Sequence, residues 1–330
     1  MTKLEPPHLL TIEKIYQWYE EQESSWDNAG MPSSYMGHEC DRMHWYAFRW
    51  AARAAPKPGK LLRLFKTGVI EEERILEDLR RIGCEVTDHN PATGKQWKFW
   101  LAGGHVVVKP DGMVLGLPDS KDHWHTLELK TANNRNFNAI VKHGLQKAKY
   151  DHYIQCHLQM HASGCSRCLY IVKNKDTEEL HGIRFHHDRE FCEQVLARAR
   201  RIIESDWAPP RLHDDPDAKG AWQCKYCDFR GVCHEAGWAR VNCRTCIHAK
   251  VGPAGKWLCG KYGDTELDYE QQQAGCDDHL YLPDLVPGEQ VDCDPQANRV
   301  VYTLNDGREF TDEGRSKGPA ETGRQSGHAQ

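Results

Sequence analysis

Fourteen of the 330 residues are cysteine, and three pairs of them, Cys165/Cys168, Cys224/Cys227 and Cys243/Cys246, stand at Cys-x2-Cys spacing. In a small secreted chain such a count signals disulfides. This chain is long and opens with MTKLEPPHLLTIEK, which lacks the apolar core of a secretory signal. The cysteines are therefore read first as metal thiolates. No run approaches the ~18 uninterrupted apolar residues of a membrane span, so the expectation is a cytoplasmic protein without a membrane partner. A net charge of −5 excludes a basic coat over the whole surface. It leaves room for a local positive groove around acidic residues.

The length suggests one main domain with appendages. Apolar periodicity predicts helices over residues 9–24 and 38–55, the second led in by Ser33-Ser34. A third is expected from Thr67 to Ile82, with Val69, Ile70, Leu76, Leu79 and Ile82 on one face, Gly83 as its stop and Glu71, Glu72 and Glu73 in its first turn. Strands follow at Trp97–Ala102, His105–Val108, Met113–Leu117 and Thr126–Lys130, read as one small β-meander with a Pro110-Asp111-Gly112 turn. A helix at Tyr150–Ala162, strands at Cys168–Val172 and His181–Phe185, and a helix at Glu190–Ile203 complete an α/β pattern with a mixed central sheet flanked by helices. Beyond Trp207-Ala208-Pro209-Pro210 the chain turns to cysteine, glycine and charge, with few aliphatic residues for a core of its own. A hairpin is expected around Asn305-Asp306-Gly307, and the last fifteen or so residues read as disordered. The divisions are an N-terminal helical segment at 1–35, a core at 36–205, cysteine-rich segments at 206–240 and 241–285, and a hairpin with tail at 286–330.

Glu128 and Lys130 lie two apart on one strand and so share a face, while Asp111 sits in the turn that opens the neighbouring strand. Two carboxylates beside a lysine can hold Mg²⁺ or Mn²⁺, a scissile phosphate and an attacking water together. Alone the fragment is weak, because Pro-Asp-Gly is an ordinary turn.

Its company is more specific: a glutamate-rich helix upstream, the helix YDHYIQCHLQMH downstream, then a cysteine cluster. Over about residues 36–235 this order resembles the PD-(D/E)XK nuclease superfamily, in particular the RecB-like branch that includes CRISPR-associated exonucleases, the AddB nuclease and phage recombination exonucleases. The resemblance implies a restriction-endonuclease-like core. It nominates Glu72, in Gly68-Val-Ile-Glu-Glu72, as a metal ligand with Glu71 as the fallback, and it matches Pro110-Asp111 and Glu128-Leu129-Lys130 to the remaining motifs. The implied ligands are Glu72, Asp111, Glu128 and the carbonyl of Leu129; Lys130 assists the water and Gln155 helps place the substrate. Glutamate at 72, where RecB-like members often carry histidine, is closer to the lambda-exonuclease-like branch. Arg135, Lys142, Lys147 and Lys149 form an acid-free basic stretch suited to tracking phosphates, Arg135 being the best placed.

Cys224, Cys227 and Cys233 give three thiolates, one short of a closed site. The same resemblance supplies Cys40 as the fourth and implies a 4Fe-4S cluster, with zinc on these four cysteines, or on three of them plus Cys243, as the alternative. Cys243, Cys246, Cys259 and Cys276 read as a zinc-ribbon-like or knuckle-like Zn²⁺ site, in which His248 or His279 could replace a later cysteine. Cys84, Cys156, Cys165, Cys168, Cys192 and Cys293 are expected to be incidental, and His123, His125, His186 and His187 are not read as ligands.

The expected function is a Mg²⁺- or Mn²⁺-dependent deoxyribonuclease, more exonuclease than endonuclease, in recombination, repair or phage DNA processing. Expected partners are single- or double-stranded DNA and a helicase, recombinase or single-strand-binding protein. The alternatives are a non-catalytic DNA-binding or assembly protein with the same fold, and a structure-specific nuclease acting on RNA.

Overall fold

The structure, a computed structural model, describes residues 10–23 and 27–314. The expected disorder of the last residues concerns positions outside that range. Five strands make the central sheet: β1 (Glu85–Thr87), β2 (Gly112–Leu115), β3 (His125–Ala132), β4 (Arg167–Asn174) and β5 (Leu180–His186), in the order β5-β4-β3-β2-β1. Only β3 and β4 pair in parallel; the other neighbours are antiparallel. A parallel pair requires a long crossover. Here it runs through α4 (Asn134–His143) and α5 (Tyr150–Ser163), with the short helix Leu145–Ala148 between them. The sheet is thus mixed and flanked by helices, as its sequence pattern implies.

One face of the sheet is covered by α3 (Gly59–Arg81), which also carries α1 (Leu10–Glu21) and whose Ile75, Leu76 and Leu79 pack on Leu127, Leu129 and Ile171. The opposite face packs Cys168, Tyr170 and Val172 against Phe137 and Ile140 of α4 and Cys156 and Met160 of α5. The largest core lies beside the sheet. It joins Trp45, Tyr46 and Phe48 of α2 (Asp41–Phe48) and Leu196 and Ile203 of α6 (Arg189–Glu204) to Trp257, Leu280, Tyr281 and Tyr302. The cysteine-rich stretch therefore meets its shortage of aliphatic residues by sharing a core with the N-terminal helices. At one seam backbones touch: a Cβ on Gly104 would fall 2.4 Å from the Gly255 nitrogen, so both positions must be glycine for the loops to meet.

Several expectations are corrected. Helix α3 begins at Gly59 rather than Thr67, because Gly68 is tolerated inside a helix anchored at both ends; Glu71, Glu72 and Glu73 therefore lie well inside it. Helix α2 is shorter than residues 38–55. Its N-cap is Cys40, whose sulfur accepts from the Met43 N–H at 3.3 Å, and the chain breaks away near Trp50, which has φ 55°. Ser33 and Ser34 instead form a 3-10 turn. The anticipated meander is split between two sheets. Strand Val106–Val108 lies between Met31–Pro32 and Phe99–Leu101 and pairs with both, and the chain crosses to β2 through Lys109-Pro110, where proline has no N–H to continue a ladder. The C-terminal hairpin, Arg299–Leu304 with Glu309–Asp312, is joined by a further strand, Gly288–Asp294, that the sequence pattern did not reveal.

Candidate active site and metal centres

Alternation along β3 sends Leu127 and Leu129 to α3 and Glu128 and Lys130 to the other face. Asp111, at the mouth of β2, is tied to the same strand. Its N–H donates to the Leu127 carbonyl at 3.1 Å, and its Oδ2 accepts from the Leu129 N–H at 2.7 Å. On α3 the residues 72, 75, 76 and 79 fall on one stripe, so Glu72 is the polar rung just beyond the buried Ile75, Leu76 and Leu79. It lies within electrostatic reach of Asp111 and Lys130. The neighbouring Glu71 turns away to Lys173 at 2.7 Å and Arg74 at 3.5 Å. Glu72, not the fallback Glu71, is thus the glutamate within electrostatic reach of Asp111 and Lys130.

The electrostatics of this group are unbalanced. Glu128 is fully buried, paired with the Lys130 ammonium through one oxygen and accepting from the Gln159 amide through the other. Burial pushes its carboxyl up to about 7; Lys130 pulls it back and Asp111 pushes it further. Burial, then Asp111, also raises Glu72 to about 7 against the opposing pull of Lys130. Asp111 is raised by burial too, with Lys130 and the Leu129 N–H opposing. Burial acts to lower the Lys130 ammonium, but Glu128 and Asp111 outweigh it and hold the group above the ordinary lysine value. Its Nζ lies 3.9 Å from Asp111 Oδ2 and donates to the Leu129 carbonyl at 3.3 Å. Three acids therefore share one ammonium in a poorly hydrated place. Hard oxygen donors short of positive charge are the donor set that Mg²⁺ or Mn²⁺ takes, and Glu72, Asp111, Glu128 and the Leu129 carbonyl fit it.

Gln155 is buried on α5 and makes no side-chain hydrogen bond among the described residues. Gln159, one turn later on the same stripe, is the residue that reaches Glu128. Sequence reasoning missed it, although the i, i+4 spacing of the two glutamines was visible. It also missed Tyr170, which stands beside Glu128 in the β3–β4 register and bonds His152 Nδ1 at 3.0 Å. Burial pushes His152 down to about 4, opposed by Asp151 and reinforced by Lys130. Arg135, Lys142 and Lys147 are exposed, and Lys149 is half-buried.

Cys40, Cys224, Cys227 and Cys233 line one cavity with His38, Tyr46 and Phe229. Burial pushes the Cys227 thiol up to about 11, with Cys40 and Cys233 close enough to add to it. Cys243, Cys246, Cys259 and Cys276 line a second cavity, where burial raises Cys243 to about 11 and Cys246 to about 12. His248 and His279 border this cavity but are engaged elsewhere, His248 with Asn298 at 2.8 Å and His279 with Thr245 at 3.1 Å. All eight thiols are free of disulfides. Each quartet is a soft, four-sulfur donor set of the kind that holds zinc or an iron-sulfur cluster. Cys156 and Cys168 are packed into the sheet core, and Cys293 is exposed. Cys192 is buried beside His161 and His187.

No protein-family model matches the chain, and no curated protein matches it. Solved structures similar to it include SSO0001, at 13% identity and TM-score 0.41, covering 69% of this chain and 97% of that one. They also include the alkaline exonuclease LHK-Exo of Laribacter hongkongensis, at 15% identity and TM-score 0.37 over 58% of this chain and 90% of that one. LHK-Exo in complex with dAMP matches at 16% identity, TM-score 0.37 and the same coverage. Likeness of this degree assigns no activity. Among the described residues no helix is long and apolar enough to cross a membrane.

Proposed function

We propose that this chain is a metal-dependent deoxyribonuclease of the PD-(D/E)XK type, with a restriction-endonuclease-like core, that hydrolyses phosphodiester bonds from a DNA end. The observation that carries the reading is the meeting of Asp111 and Glu128 at the single ammonium of Lys130, with Glu72 within electrostatic reach of Asp111 and Lys130. Clustering three acids, Glu128 fully and Glu72 and Asp111 partly buried, near one base costs stability that a bound cation would offset.

Glu72, Asp111, Glu128 and the Leu129 carbonyl would hold Mg²⁺ or Mn²⁺. When bound, such an ion neutralises phosphate charge and makes its water a better nucleophile. Lys130 stays protonated at neutral pH and donates from Nζ to the attacking water or to the phosphate oxygen that gains charge. Gln159 restrains the Glu128 carboxylate, and Asp111 is aimed by the Leu129 N–H. Gln155 has its amide free for the substrate. The Cys40 quartet would hold a 4Fe-4S cluster and the Cys243 quartet Zn²⁺, both structural. A helicase, recombinase or single-strand-binding protein is the expected partner on DNA.

The test is degradation of end-labelled linear single- and double-stranded DNA and of a closed circle with Mg²⁺ or Mn²⁺, comparing wild type with Lys130→Ala. Loss of the linear substrates alone, absent in the variant, is the expected result. Cleavage by Lys130→Ala at the wild-type rate, or no cleavage of any DNA, overturns the reading, the latter in favour of a DNA-binding or RNA-directed protein.

A further inference from the structure

One more set of ligating atoms converges, away from the carboxylate centre and both cysteine quartets. His161 lies in the last turn of α5, His187 in the short link between β5 and α6, and Cys192 in the first turn of α6. One ligand atom from each lies within 4.8 Å of the other two. His161 Nδ1 and His187 Nε2 are 3.3 Å apart. In a tetrahedral zinc site with metal–nitrogen bonds of about 2.0–2.1 Å, two nitrogen ligands stand about 3.3–3.4 Å apart. A simple hydrogen bond between two histidines has similar spacing; what it lacks is the third corner supplied by the Cys192 thiol, which also donates to the His157 carbonyl at 3.3 Å. Behind His161, its other nitrogen faces the Glu193 carboxylate at 3.7 Å. A histidine with a carboxylate at its far nitrogen is the usual way a metal-bound imidazole is oriented.

We propose that His161 Nδ1, His187 Nε2 and Cys192 Sγ bind one Zn²⁺ ion, with Glu193 orienting His161 and the fourth position taken by water. Two imidazoles and a thiolate suit zinc better than the harder ions. The two histidines are half-buried and Cys192 is fully buried, so the site opens to solvent on the histidine side. The ion would pin the C-terminal turn of α5 to the start of α6. Helix α5 carries Gln159, which bonds Glu128, so occupancy steadies the helix that backs the carboxylate centre. The site itself stands whether or not that centre cleaves DNA.

Zinc per chain, measured by mass spectrometry on the full-length protein, tests this in wild type, His187→Ala, Cys276→Ser and the double variant. His187→Ala is expected to carry one zinc fewer than wild type, Cys276→Ser to lose a separate one, and the double variant to lose both. His187 is half-exposed, so its truncation leaves the fold intact, whereas truncating the fully buried Cys192 opens a cavity in the core. Equal zinc in wild type and folded His187→Ala overturns the site and leaves a plain histidine pair. In competition titrations with Zn²⁺ alone, Glu193→Gln is expected to weaken this site by about 10-fold or more. Unchanged affinity would remove Glu193 from its positioning role.

Discussion

Two of the regions that bury charge in this molecule do so in opposite ways. At the carboxylate centre three acids face one ammonium, and burial makes every one of the acids harder to ionise. Around α2 the buried charges are Arg49 and Arg244, neither of which has an ion-pair partner among the described residues. Arg244 lies 3.7 Å from the Trp50 ring centre and 4.9 Å from that of Trp257, and donates to Phe48 O at 3.0 Å, Ala29 O at 2.9 Å and Gln272 Oε1 at 2.9 Å. Arg49 lies over Trp45 at 4.8 Å and donates to Ser205 O at 2.8 Å. Burial lowers Arg49 to about 10 and Arg244 to about 9, still high enough to keep them charged at neutral pH. Aromatic faces and carbonyls take the place of a counter-ion for these cations, leaving only the Arg49 Nε without an acceptor among the described residues. The first region is left short of positive charge and is suited to taking up a cation. The second is self-contained and clasps the N-terminal helices to the cysteine modules.

If the contrast is right, Asp111→Asn lowers DNA cleavage on the order of 10³-fold while thermal stability holds or rises, because a buried repulsion is relieved. A variant that lost stability and activity together would make the carboxylate centre structural like the clasp. Arg244→Met should do the reverse. Three acceptors lose their donor, so urea unfolding should show a loss of about 3–5 kcal/mol, with cleavage per folded molecule unchanged. A loss under about 1 kcal/mol would mean that the clasp is incidental.

The pH response sharpens the same comparison on the clasp side. Burial holds His44 down at about 4, with the His38 carbonyl opposing as hydrogen-bond acceptor. His44 is therefore neutral in the fold, while the unfolded chain takes up a proton near its usual value. Stability should be full above pH ~6.5 and fall between ~6.5 and about 4, by up to ~3 kcal/mol from this group. Urea midpoints against pH should fall less steeply in His44→Gln; equal slopes would assign the acid sensitivity to other groups. The smallest effect separates two adjacent glutamates. Glu72→Gln should cut cleavage about 10²-fold. Glu71→Gln should leave cleavage unchanged and cost about 1 kcal/mol, because Lys173 retains Glu178 at 2.7 Å.

Local periodicity by itself determined much of this protein. The two-residue repeat of a strand puts Glu128 and Lys130 on one face, and the helical repeat makes Glu72 continuous with Ile75, Leu76 and Leu79. The α/β class follows from the same patterns, and tight Cys-x2-Cys spacing marks Cys224/Cys227 and Cys243/Cys246 before any fold is known. Tertiary structure decided the rest. Whether Glu71 or Glu72 faces Asp111 depends on the rotation of α3 about its own axis against the sheet, which adjacent glutamates leave undetermined. The company of Gln159 with Glu128, of Cys40 with a cavity nearly two hundred residues away, and of His161 with His187 and Cys192 depends on the angle and depth at which separate elements pack. Such placements arise from the summed burial of Trp45, Phe48, Trp257 and Tyr302 and their neighbours. No local spacing encodes that sum.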